Sequence, residues 1–144
     1  MRLLTAALLL VLSLPVTAAD YAAISQAAQA GDANAAWRLG LMLRNGTDAP
    51  RDSAAAVRWL HTAAQGGVPA AMFVYANMLL EGEGTPADPA AARRWLERAA
   101  EREYPAAMQQ VAMGLRDGSM GFIVDPERAD ILMKESAHAL RHTR

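Results

Sequence analysis

The chain has 144 residues, with 14 lysines and arginines against 15 aspartates and glutamates and a formal net charge of −1. That length suits one domain, the balance lacks the basic surplus a nucleic-acid binder needs, and zero cysteines exclude disulfides, thiolate nucleophiles and cysteine-ligated metals. Alanine occurs 33 times and aromatic residues only eight times, a composition that favours closely approaching helices over sheets.

The N-terminus reads as a cleaved secretory signal peptide covering 1–18. Arg2 supplies the positive start, Leu3 to Leu14 is an apolar run of signal length, and Pro15-Val16-Thr17-Ala18-Ala19 closes on small residues. Cleavage after Ala18 or Ala19 is expected to release a domain at 19–144 into the periplasm or medium. The run is too short to span a bilayer, which takes about 17–25 apolar residues, so no stable membrane insertion is expected afterwards.

The remainder repeats. A shift of 36 positions aligns 27–62 with 63–98, and sixteen of the 36 pairs are identical. Gly31 matches Gly67, Met42-Leu43 matches Met78-Leu79, Gly46 matches Gly82, and Ala54-Ala55-Ala56 matches Ala90-Ala91-Ala92. Arg58-Trp59-Leu60 matches Arg94-Trp95-Leu96 in the same register. A third copy, 99–138, keeps that spacing to Gly118, after which one inserted residue makes it 37.

Each copy predicts two helices. Helix A covers about 33–45, 69–81 and 105–117 and ends at Gly46, Gly82 or Gly118, residues suited to a left-handed C-cap. Helix B opens at Asp52, Asp88 or Asp125, whose carboxylates can cap free N–H groups, with Pro89 and Pro126 at the first helical position of two copies. Residues 20–30 match the back half of a B helix, and the total is about seven helices.

The 36-residue period, the AAxxG turn, the A-helix pattern of Ala35, Leu39, Gly40, Met42 and Leu43, and the later Asp and Arg-Trp-Leu positions resemble Sel-1-like repeats. These are relatives of the tetratricopeptide repeat, and the likeness covers roughly 20–141. It implies an all-α, right-handed α/α superhelix of about three helix-turn-helix repeats, with a leading half-repeat and a capping C-terminal helix. The third copy departs from the pattern: Glu103 replaces the turn glycine, Met113-Gly114 blurs the Leu-Gly and Met-Leu pattern, and Leu132-Met133 stands for Trp-Leu.

Signatures of catalysis are missing, among them H-E-x-x-H, G-x-S-x-G and the phosphate loop, and no enzyme activity, metal or cofactor is expected. His138 and His142 share a helix face and read as a solvated pair, while His61 reads as a surface residue of helix B. Gly82-Glu83-Gly84 and Gly118 to Gly121 follow helix C-termini and read as turns. Asp125, Glu127 and Asp130 read as a cap and its neighbours, not as catalytic carboxylates. Arg93, Arg94, Arg98 and Arg102, interleaved with Glu97, Glu101 and Glu103, read as a salt-bridged solvated face, and Asn45-Gly46-Thr47 reads as a turn, although it fits a glycosylation sequon.

The resemblance also implies a concave groove lined by the A helices. Its inward positions would be Trp37, Leu41, Arg44 and Asn45, then Phe73, Asn77, Leu80 and Glu81, then Gln109, Met113, Arg116 and Asp117. Trp37 and Phe73 are expected mainly to pack between repeats, and the two arginines to meet a partner. Phe122 and Ile123, in the inserted loop, either cover the core or form a sticky contact. The expected function is an exported, non-enzymatic module binding a protein or peptide, with no nucleic-acid or small-molecule partner. Immunity against a secreted toxin is an alternative; β-lactamase-like hydrolysis is a weaker one, because the family members it is drawn from are disulfide-bridged.

Overall fold

The computed structural model describes residues 18–142, and residues 1–17, where a signal peptide is expected, lie outside the described residues. Among these the chain forms seven α-helices and no strand: α1 Ala18–Gln29, α2 Ala33–Asn45, α3 Ser53–Gln65, α4 Pro69–Glu81, α5 Pro89–Glu101, α6 Pro105–Asp117 and α7 Pro126–His142. A short 3-10 turn, Ser119–Gly121, precedes α7. The main packing is between helices consecutive in sequence, which gives the all-α solenoid of stacked hairpins that the repeat predicts. Helices A are α2, α4 and α6; helices B are α3, α5 and α7.

The helix ends follow local chemistry. Asp52, Asp88 and Asp125 accept hydrogen bonds from the backbone N–H groups of Ala55, Ala91 and Arg128, satisfying donors that a helix N-terminus leaves free. Asp32 caps α2 in the same way through Ala35. Where Val68 and Tyr104 take its place, Pro69 and Pro105 begin the helix instead. The helix-terminating glycines have φ of 71° at Gly46, 69° at Gly82 and 74° at Gly118. Glu103, at the place of Gly31 and Gly67, is forced to φ 56°, a left-handed conformation that costs a side chain about 1–2 kcal/mol.

Small residues let the helices approach. A Cβ on Gly40 would lie 2.7 Å from Leu60 Cγ, so glycine there sets the spacing between α2 and α3. Leu39, Leu60, Met78, Leu96 and Val111 fill the centre, surrounded by fully buried alanines such as Ala36, Ala56, Ala76 and Ala92. Trp59 and Trp95 are only half-buried and flank this core. Their neighbours Leu60 and Leu96 take its centre, fully buried.

The third copy is repacked as a consistent set. Gly114 stands where Met78 fills the core one repeat earlier. The Phe122 ring, delivered by the inserted loop, occupies the space a Gly114 side chain would need. Phe122 is therefore 7% exposed and covers the core; its reading as a contact residue is corrected, while Ile123 beside it is 87% exposed. Ser136 replaces the buried alanine of the other B helices, with its hydroxyl donating to the Pro105 carbonyl and accepting from Gln109 Nε2. A polar group is tolerated at full burial because both bonds are made.

Candidate functional site

The A-helix row comes first, since the sequence points there. Trp37, Leu41, Arg44, Phe73, Asn77, Leu80 and Gln109 are all partly buried, and Met113 and Arg116 are exposed. Several of these side chains stitch one repeat to the next. Phe73 packs on Tyr104 with ring centroids 5.5 Å apart, and Asn77 donates to the Phe73 carbonyl while accepting from Gln110 Nε2 at 3.0 Å. Gln109 is engaged with Ser136 of α7. Met113, 56% exposed, is the large apolar side chain the row leaves to solvent.

The two arginines expected to await a partner already have one. Arg44 donates through Nε to Glu83 Oε2 at 2.9 Å and pairs with it through Nη2 at 2.8 Å, while Arg51 reaches Oε1 of the same carboxylate at 3.3 Å. The bond from Arg44 holds the Glu83 carboxyl below the usual range; desolvation opposes this, and the charges of Arg44 and Arg51 reinforce it. Arg116 pairs with Asp130 on α7. Both guanidinium groups expected to meet a partner are therefore engaged within the chain, by carboxylates on the neighbouring repeat and on the facing helix. Asp117, at the end of α6, accepts from Ser119 N–H at 2.8 Å, and its carboxyl is held low first by the Ser119 hydroxyl and then by that backbone bond.

The B-helix arginines also differ from the reading. Arg93 donates to the Gly121 carbonyl and lies over the Phe122 ring, Arg98 lies over the Trp95 ring at 4.8 Å, and Arg102 donates to the Gly67 carbonyl at 3.2 Å. Among the described residues none of them forms an ion pair with Glu97, Glu101 or Glu103. The long stems are used to hold loops and cover rings, so the salt-bridged face is a set of clamps.

His61 is likewise not a plain surface residue. Its ring stands 4.9 Å from Tyr75 and 5.9 Å from Trp95, and Tyr75 is 5.7 Å from Trp95, so α3, α4 and α5 each contribute one ring to a closed triangle. Burial raises the Tyr75 phenol above its usual range, and the charge of Asp88 adds to this. His138 and His142 sit together on α7 with ring centroids 4.4 Å apart. Among the described residues no three histidine or acidic side chains converge as metal ligands, and no helix is long and apolar enough to cross a membrane.

The Sel1 repeat pattern matches residues 33–68 and 69–104, two units of one period that together make half the chain. The chain belongs to the Sel1 repeat family. A crystal structure of a Sel1 repeat protein from Oxalobacter formigenes superposes on it with TM-score 0.77 and 29% identity, over 83% of this chain and 34% of that one. A protective antigen present in uropathogenic Escherichia coli strains, which displays an SLR fold, superposes with TM-score 0.75 and 31% identity, over 80% of this chain and 24% of that one. The chain thus spans about a third and a quarter of these two proteins. No curated protein matches it by sequence. A Sel1 repeat fold is generally a protein–protein interaction scaffold, and this solenoid has that architecture.

Proposed function

We propose that this Sel1 repeat protein is exported and acts as a non-enzymatic module that binds a partner protein. The observation carrying the reading is the division of labour in the repeat. Positions shared between copies, such as Leu60 and Leu96, make the core, whereas positions that differ between copies, such as Leu41, Asn77 and Met113, lie on the A-helix surface. A stacked scaffold with a varied surface supports recognition of one protein by another. Catalysis would instead need a converging set of reactive groups, as in a nucleophile with its base.

Two experiments test this. The mature protein, immobilised and exposed to periplasmic extract, is expected to retain one defined protein stoichiometrically, and Leu41→Glu with Met113→Glu is expected to release it while circular dichroism is unchanged. Equal retention by the variant would remove the A-helix surface from the reading, and no retained protein at all would remove the function. Export is tested by intact mass: periplasmic material should begin at Ala19 or Asp20, and a species keeping Met1 in the membrane fraction contradicts it.

A further inference from the structure

Helices α3 and α5 are each covered by the A helix that follows: the chain turns after Gln65 and Glu101, and α4 and α6 pack back on them. Leu60, Ala64 and Leu96 are buried on those faces, and the His61 ring meets Tyr75 of α4 there. The equivalent residues of α7 are Met133 for the two leucines, Ala137 for Ala64 and Lys134 for His61. Met133 is 36% exposed and Ala137 faces solvent. Where α3 and α5 stop, α7 continues for a further turn, from Ala139 to His142, instead of turning back. Among the described residues no A helix lies over Met133, and the added turn puts Leu140, 48% exposed, on the same stripe.

The stripe has the spacing of a helix-pairing seam. Asp130, Met133, Ala137 and Leu140 follow one another at intervals of three and four, and Glu127, Lys134 and Arg141 recur every seven residues along one flank. The other flank, Ala129 and Ser136, is buried within the last hairpin. Asp130 is already neutralised by Arg116, so the exposed flank is acidic at its start and basic at its end. In an antiparallel helix pair the same flank of each helix meets in reverse order, which brings Glu127 of one helix towards Arg141 of the other at both ends. The opposed helix dipoles favour the same orientation, and Ala137 lets the two backbones approach. Lys134 is the one like-charge meeting, near the two-fold axis. The partner whose charges match this flank is a second α7.

We propose that α7 pairs antiparallel with α7 of a second copy of this chain, so that the open end of the solenoid closes as a two-fold dimer. The contact is one helix pair about 25 Å long, which places it among transient interfaces, with a Kd of about 100 µM. It lies on the last B helix, away from the A-helix row, and does not depend on the partner-binding reading above.

Sedimentation equilibrium of the chain from Ala18 onward, which keeps every helix described, tests this at low salt. A monomer–dimer equilibrium is expected, and Met133→Glu with Leu140→Glu should abolish it while circular dichroism is unchanged. Arg141→Glu, at an exposed position that leaves the core alone, should weaken the dimer roughly fivefold, and adding Glu127→Arg should restore it, because the two charges are then exchanged across the axis. Lys134→Ala should tighten it roughly threefold by removing the like-charge meeting. A protein still monomeric at about 1 mM overturns the proposal, as does a dimer that none of these substitutions alters, since it then uses another face. A charge exchange that leaves the dimer weak overturns the antiparallel pairing. If the protein is monomeric and Leu140→Glu instead releases the protein retained from periplasmic extract, the face belongs to that partner and the second copy is overturned. Self-association is read on the purified chain alone, so its failure and the failure of partner binding are separate results.

Discussion

Leu96→Ala is expected to lower unfolding stability by about 3–4 kcal/mol, within the usual span for a buried leucine that leaves a cavity. Leu96 is fully buried and lies on α5, which packs on both α4 and α6, so its loss uncouples two interfaces at once. Trp95→Ala should cost less, about 2 kcal/mol, because the indole is already partly exposed and the loss is confined to the ring contacts with His61, Tyr75 and Arg98. In a linear array each repeat is held by its neighbours, so the Leu96 variant should also broaden the transition as the flanking hairpins separate. Urea denaturation followed by circular dichroism checks both numbers. A larger loss for Trp95 than for Leu96 would mean that α5 is rotated from the orientation described.

Arg44→Glu is the second substitution with a large expected effect. It sets two carboxylates against each other at a site where Glu83 is only 15% exposed, and the expected cost is about 2–3 kcal/mol from lost pairing plus repulsion. Adding Glu83→Arg should restore much of it, whereas Arg116→Glu, at the more exposed pair with Asp130, should cost under about 1 kcal/mol. The pH dependence follows from the same pair. Glu83 has its carboxyl pKa lowered on folding, so it contributes stability above the unfolded-state value of about 4.5, and that contribution is lost as pH falls through the folded value below it. Wild type should therefore lose more stability than Glu83→Gln between pH 5 and acid, in thermal melts at matched ionic strength. Parallel profiles would show that the pair contributes nothing.

The pairing of Arg44 with Glu83 also shows where sequence reading stops. The two residues are 39 positions apart, one period plus about a helical turn, and a search for opposite charges at that offset would have found them. Matching copies in strict register does not, because it compares each residue with its equivalent and not with the residue stacked above it. The same blindness hid the Asn77–Gln110 bond, at a separation of 33, and the ring triangle, in which His61 meets residues of the next repeat.

Phe122 is a different case. Its role depends on Gly114, which is small enough to admit a ring, and on an inserted residue that swings the loop back over α6. Each departure from the repeat reads alone as decay of the pattern. Together they are one exchange of a methionine side chain for a phenylalanine ring, visible only when both are placed in space.

What the sequence determined by itself is the period, the helix limits and the caps. Asp52, Asp88 and Asp125 start helices, and Gly46, Gly82 and Gly118 end them, through bonds and backbone angles that involve a few adjacent residues. The tertiary structure alone decided which side chains remain free to act. It consumed Arg44 and Arg116 in ion pairs, turned Phe122 inward, and left Met113 and Ile123 exposed. The physical reason is range: a cap is satisfied within one turn of helix, whereas the exposure of a side chain is set by neighbours that stacking brings in from a full repeat away.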